Sequence, residues 1–195
     1  MRRRTMLFAA LPVALLIAIG SRVVGHRPFP PESTPEGAYV RIAFFVAERR
    51  YRDAFPYLET EAQWASFTIG EARKKACARV RASYPAAEAA PLLAQWREQA
   101  DAPDGADVFA LLAVERGFVA RLERDLSGIG RVESKGERAT IITARGTRYP
   151  FRRRDNGVWG LTIFTAELEA EAERASRDLE VVEKAAADYE RAKLP

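Results

Sequence analysis

Residues 136–161 read GERATIITARGTRYPFRRRDNGVWGL. Apolar and polar side chains alternate along it, the period of a half-buried strand, and small or polar pairs punctuate it where turns belong. With the residues just before and after, four strands emerge: Gly130–Ser134, Glu137–Arg145, Thr147–Arg154 and Val158–Phe164. Lys135-Gly136, Arg145-Gly146 and Asp155-Asn156-Gly157 join them into an antiparallel meander. The last turn decides which side chains are buried. A two-residue Asn-Gly loop would pair Asp155 with Val158 and set Trp159, Leu161 and Ile163 beside Arg152 and Arg154. A three-residue loop with Gly157 left-handed pairs Arg154 with Val158 instead. That register gathers Tyr149, Phe151, Trp159, Leu161 and Ile163 on one face and the arginines on the other. A slip of one residue exchanges the faces, so burial selects the three-residue loop.

Everything between residue 34 and the meander has helical spacing. Thr34-Pro35-Glu36 starts a helix: Thr caps, Pro presets φ and Glu faces the dipole. Ala38, Ile42, Phe45 and Val46 then recur at helical intervals up to Arg49-Arg50. A short helix over Tyr51–Phe55 closes near Pro56. Thr68-Ile69-Gly70-Glu71 has the form of a capping box and predicts a helix running to Tyr84-Pro85, with Ala72, Ala76 and Val80 as its apolar line and Cys77 beside it. Leu92, Leu93 and Trp96 mark another helix, ending around Asp101-Ala102-Pro103. Asp104 or Asp107 caps the next, through Val108, Leu111, Leu112, Val119, Leu122 and Leu126, with Gly128 as C-cap. After the meander Thr165 caps a final helix of about 28 residues. Its stripe of Leu168, Ala172, Ala175, Leu179, Val182, Ala186 and Tyr189 is too alanine-rich to be a coiled-coil seam by itself, and is expected to pack on its own domain.

The fold class is therefore α+β: an N-terminal membrane segment, a helix-rich first part, a C-terminal four-stranded antiparallel meander and a long final helix. Within the 195 residues, 1–24 read as a signal-anchor or signal peptide, 25–34 as a Pro-rich tether and 35–195 as a single α+β domain. Arg2, Arg3 and Arg4 precede the apolar run Met6–Gly20 (MLFAALPVALLIAIG), the layout of an export signal or anchor. Extension through Ser21, Arg22, Val23 and Val24 reaches the length of a span, whereas Ala18-Ile19-Gly20 offers a cleavage site. Either way positive charge holds the N-terminus in the cytoplasm and the body is exported. The expected location is a bacterial inner membrane with the body in the periplasm, or export after cleavage. Arg outnumbering Lys 26 to 5 suits a GC-rich bacterial genome.

Composition excludes more than it assigns. At 48% hydrophobic and 30% charged the chain is an ordinary globular protein. One Cys rules out an intrachain disulfide or multi-cysteine cluster, and one His removes most neutral-pH base and zinc chemistry. Five of the 31 basic residues lie in 1–27, before the first acid, Glu32. The remaining 26 face 27 acids, so no nucleic-acid partner is expected from the overall field.

Two stretches resemble the superfamily of cone-shaped α+β domains named after nuclear transport factor two. TPEGAYVRIAFFVAERRYRDAFPYLE (34–59) is similar to that family's first helix, tight turn and second helix ending in an aromatic-Leu pair. GERATIITARGTRYPFRRRDNGVWGL (136–161) is similar to its terminal meander with a Trp after the turn. The resemblance implies a curved sheet wrapped by helices around an apolar hollow. The chain departs from the family in its helical middle of about 70 residues and its final helix, either of which could fill that hollow. The fold hosts isomerases, hydrolases, binding modules and oligomerisation domains, so it fixes no function.

Chemistry-bearing residues are few. Tyr149, Phe151 and Trp159 are the candidates for lining a hollow that takes a small apolar ligand. Arg152, Arg153 and Arg154 are the candidate patch for an anionic partner such as a carboxylate or lipid headgroup. Asp101, Asp104 and Asp107 in DAPDGAD lack calcium-loop spacing and read as caps and turn. Gly128-Ile129-Gly130 precedes a strand and cradles no phosphate, and Cys77, with Arg73, Lys74 and Lys75 near it, reads as a plain buried thiol. No catalytic residue, metal site or cofactor emerges. The expected function is a non-catalytic, exported, membrane-tethered module binding an envelope protein or a small apolar ligand. The alternatives are an exported cone-fold hydrolase or isomerase using a buried carboxylate, and a scaffold self-associating through the C-terminal helix.

Overall fold

Thr34 caps the first helix by accepting the amide of Gly37 on its hydroxyl, 3.1 Å away, so that helix starts where the cap, Pro35 and Glu36 direct it. In the computed structural model, which describes residues 29–193, that helix is α1 (Pro35–Ala47). It is followed by α2 (Tyr51–Ala54), a 3₁₀ turn (Phe55–Tyr57), α3 (Thr60–Ser83), α4 (Ala86–Asp101), α5 (Gly105–Glu115) and α6 (Phe118–Asp125). The sheet strands are β1 (Ile129–Lys135), β2 (Arg138–Thr143), β3 (Arg148–Arg153) and β4 (Trp159–Leu161), and α7 (Thr165–Ala192) ends the described chain. The strands lie in sequence order, each antiparallel to the next. The protein is thus α+β with a four-stranded antiparallel meander and a long final helix. Among the described residues no helix is long and apolar enough to cross a membrane. The predicted signal or anchor at 1–24 lies outside them.

Two clusters make up the core. The larger joins the inner sheet face (Ala139, Ile141, Tyr149, Phe151, Trp159, Leu161) to α1, α3, α5 and α6, with Phe118 and Phe164 stacked 4.5 Å apart at its centre. The smaller is a three-helix seam of Ala76, Cys77 and Val80 from α3, Ala89, Trp96 and Ala100 from α4, and Val182 from α7. The stripe of α7 lies against α3 of its own chain. Its alanines allow that close approach, and polar bonds flank the seam: Arg73 to Asp178 at 2.6 Å and Arg79 to Glu190 at 2.6 Å.

Several expected boundaries move. The helix predicted to open at Thr68 begins eight residues earlier, at Thr60, because Ala62, Ala65 and Ile69 extend the buried line of Ala72, Ala76 and Val80. Gly70 sits mid-helix because α5 crosses there, and a β-carbon would stand 3.1 Å from Val108 Cγ2. The single helix predicted from Asp104 to Leu126 is two, broken at Gly117, whose φ of 70° is left-handed. Gly128 is no C-cap; Leu126 holds that place, and the Gly128 carbonyl accepts the amide of Ala144. Thr165 is the first residue of α7 and caps nothing: its hydroxyl donates to Glu59 at 2.8 Å. The predicted tether 25–34 is fixed from Phe29 onward. Arg41 donates to the Pro30 carbonyl at 2.7 Å, Tyr57 to Glu32 at 2.9 Å, and Trp159 Nε1 to the Ser33 carbonyl at 3.0 Å.

Candidate functional site

The β3–β4 turn has the three-residue form. Arg154 and Val158 pair, the Arg154 amide donating to the Val158 carbonyl at 2.9 Å, and Gly157 has φ 81°. Phe151 then opposes Leu161, and Tyr149, Phe151, Trp159 and Leu161 all face inward. Two details depart from the expectation. Ile163 lies beyond β4 and only half-buried, and Phe164 takes the buried place. Arg153 opposes Trp159 and so belongs to the aromatic side of the sheet, where it ends exposed at the turn.

The three aromatic candidates are packed in the core and none lines its apolar hollow. Tyr149 leans on Tyr39 with ring centroids 5.5 Å apart, and the Tyr39 hydroxyl donates to the Ser127 carbonyl at 2.7 Å. The Tyr149 hydroxyl is buried without a hydrogen-bond partner, and burial pushes its pKa up to about 12. The apolar hollow at the centre of the main core has a volume of about 10 Å³. Val46, Leu58, Phe109, Phe118, Leu161 and Phe164 are among its walls; Tyr149, Phe151 and Trp159 are not, and no carboxylate borders it. Such a volume is about one water molecule's worth and admits no organic ligand.

The arginine triplet is divided by its neighbours. Arg152 reaches Glu61 at 3.1 Å and Glu59 at 3.4 Å. Arg154 donates to the Pro56 carbonyl at 2.8 Å, Gln63 Oε1 at 3.1 Å and Thr60 Oγ1 at 3.2 Å. These two clamp the hairpin to the start of α3. The expectation of an arginine patch open to an anionic partner is therefore corrected: of the three guanidiniums only that of Arg153 has neither a hydrogen bond nor an ion pair among the described residues.

Two buried carboxylates escaped the sequence reading. Glu59 sits at the edge of β4, its amide donating to the Leu161 carbonyl at 3.1 Å and its carboxylate accepting from Thr165 and Arg152. It lines a polar groove of about 310 Å³ together with Arg138, Thr140, Pro150, Phe151, Arg152 and Thr162. Glu171, on α7, accepts from Arg116 at 2.6 Å and Arg174 at 2.8 Å, with Arg73 at 3.8 Å. Arg73 is itself only 3% exposed and lies 4.8 Å over the Trp96 ring. The oxygens of each carboxylate are bonded to guanidiniums or a hydroxyl, which satisfies a buried polar group within the chain. Their long-range partners, 55 or more residues away for Arg116 and Arg152, leave no local motif to read.

The remaining candidates are structural. Asp104 caps α5 through the amides of Ala106 and Asp107 and pairs with Arg52 at 2.6 Å. Burial alone would push its carboxyl up, but those amides and the guanidinium hold it below the usual carboxylate range. Asp107 also pairs with Arg52, and Asp101 with Arg97. Cys77 is fully buried, which pushes its thiol pKa up and away from reactivity. Among the described residues no three His, Cys, Asp or Glu side chains converge as metal ligands. Among the described residues two exposed aromatic pairs lie on the surface: Phe29 with Phe44, ring centroids 5.6 Å apart, and on α3 Trp64, 67% exposed, with Phe67, 6.1 Å apart. Trp64 borders an open groove of about 650 Å³ between α3 and α7. No family model, curated protein or solved structure matches this chain.

Proposed function

We propose that the chain is a non-catalytic α+β module, exported and held at the outer face of a bacterial inner membrane by residues 1–24, that binds a partner protein. Arg2–Arg4 and the run Met6–Gly20 support the address. The cone-fold kinship belongs to the same proposal. It is supported by the packing of its two stretches on each other, through the bridge between Leu58 and Leu161 and the approach of Gly160 to the Glu59 backbone. The observation that carries the functional reading is the filled centre. The hollow of about 10 Å³ has no carboxylate on its walls, and the buried carboxylates Glu59 and Glu171 are bonded elsewhere. A catalytic acid in an apolar pocket and a site for a small apolar ligand both lack a place. Binding is left to the surface, where Trp64 and Phe67 supply exposed aromatic area of the kind that anchors protein contacts.

The test places a photoreactive residue at Trp64 in cells and identifies what it captures, alongside native mass spectrometry of the purified chain. One discrete crosslinked envelope protein, with no retained small molecule, is the expected result. A stoichiometric organic ligand released on unfolding would overturn the reading. A reporter active only in the cytoplasm, fused after Pro195, is expected to be silent; a bright signal refutes the address.

A further inference from the structure

The near-neutral sum of residues 28–195 conceals a strongly sided distribution. Side chains that alternate away from the core place Arg131, Glu133, Lys135, Arg138, Arg148 and Arg152 together on the outer face of β1, β2 and β3. All six are exposed, and five are cations. Arg131 and Arg148 share the one acid, each 2.7 Å from Glu133, whose carboxyl is held below its ordinary range by the Arg148 hydrogen bond. Arg138 stands directly across from Arg152 and next to Lys135, like charges opposed at neighbouring positions of the ladder. Glu59 and Glu61, at the β4 end, both engage Arg152 and leave Arg138 and Lys135 without an ion pair among the described residues. A sheet face pays for such crowding unless an anion lies over it.

We propose that this open face is a binding surface for anionic lipid headgroups, which lays the domain on the bilayer that receives its own N-terminal run. The inference rests on the tether reading. The chain is fixed to α1 from Phe29, and only four residues separate Val24 from Phe29, a reach of about 17 Å even when extended. The domain is therefore held where a weak electrostatic contact gains a high effective concentration. Each Lys or Arg brought to an anionic surface strengthens binding about fivefold, so Lys135 and Arg138, the two cations of the face that no acid engages, supply about 25-fold without an inserted side chain. Nucleic acid suits the face less well. Tyr149, Phe151 and Trp159 all point into the core, so bases would meet no aromatic platform.

The test uses the full chain in vesicles of phosphatidylcholine, or with a third of the lipid replaced by phosphatidylglycerol. Thr140→Cys, in the middle of the face, carries an environment-sensitive fluorophore, and brominated lipids report its approach by quenching; Cys77 is buried and stays unlabelled. Strong quenching in anionic vesicles is expected. It should be weak in neutral ones and fall as salt shortens the Debye length. Lys135→Gln with Arg138→Gln should weaken it at least tenfold, and Lys135→Glu with Arg138→Glu should abolish it, circular dichroism being unchanged. Equal quenching in both vesicles, or an unaffected double variant, overturns the proposal. So does oligonucleotide binding at physiological salt that the same variants abolish while lipid leaves the label unquenched. Failure to float with neutral vesicles refutes the tether reading alone, since flotation with anionic vesicles and its loss in the variants still decide the face.

Discussion

One methyl group can probe the junction on which the sheet is hung. Gly160 has no positive φ, so its backbone would accept Ala, but a β-carbon there would lie 2.7 Å from Glu59 Cα, Glu59 N and the Leu58 carbonyl oxygen. All three are backbone atoms and none can swing aside. Restoring an ordinary contact requires residues 58–59 to retreat by about 0.7 Å. That would stretch the hydrogen bond from the Glu59 amide to the Leu161 carbonyl, now 3.1 Å, beyond bonding distance. Losing it costs about 1 kcal/mol. The strain of overpacking adds about 1–3 kcal/mol. The reduced freedom of the unfolded chain returns about 0.4–1 kcal/mol. A net loss of about 2 kcal/mol follows, which lowers Tm by roughly 4–8 °C in a chain of this size. Gly128→Ala is the matched control, since nothing lies within 4 Å of its β-carbon and its φ is ordinary; it should be neutral or slightly stabilising. Both variants are compared with the parent by thermal and urea unfolding. A Gly160→Ala protein within about 0.5 kcal/mol of the parent would refute the close approach, and with it the argument that the two resembling stretches lock together.

Leu179, half-buried where α7 touches both core clusters, should cost about 2 kcal/mol when cut to Ala, with a lowered Tm and unchanged mass by light scattering; a dissociated dimer with unchanged melting would refute packing within the chain. Tyr149→Phe removes a buried hydroxyl that has no partner and should be neutral or stabilising by about 1 kcal/mol, as read by urea unfolding. The Tyr149 phenol is pushed up to about 12 by burial, so the stability it lends is complete below pH 10 and lost as pH rises towards 12; the Phe variant should lose that part of the alkaline decline. Glu190 is held below its ordinary range by hydrogen bonds from Arg79 and Ser83, so its contribution is present above the unfolded carboxyl value and lost as pH falls through the folded one; Glu190→Gln should flatten the acid limb of a Tm–pH profile.

What the sequence discloses depends on how local the deciding physics is. The β3–β4 register was legible because a slip would have set Trp159 and Leu161 beside Arg152 and Arg154, away from Tyr149 and Phe151, and α1 because Thr34, Pro35 and Glu36 are all at its start. Thr68-Ile69-Gly70-Glu71 misled because a capping box is stabilising only at an end. Ala62, Ala65 and Ile69 had already committed the preceding turns to helix, and Gly70 is spent on the approach of Val108. The site residues fail for a related reason. Arg152 and Arg154 look free along the chain, and only the fold brings Glu61 and the Pro56 carbonyl beneath them. Glu59 and Glu171 look like any surface acid until Thr165 and Arg116 arrive from elsewhere in the chain. The charge sum is misleading in the same manner. It weighs acids of α7 such as Glu167 and Glu173 against cations of the sheet, yet Glu167 and Glu173 pair with Arg121 and Arg177. The sheet keeps its own balance of five cations to one acid, because alternation along three paired strands selects one side chain in two and sends these to the same side. A net charge predicts long-range steering only when opposite charges share a face, and here the fold has separated them.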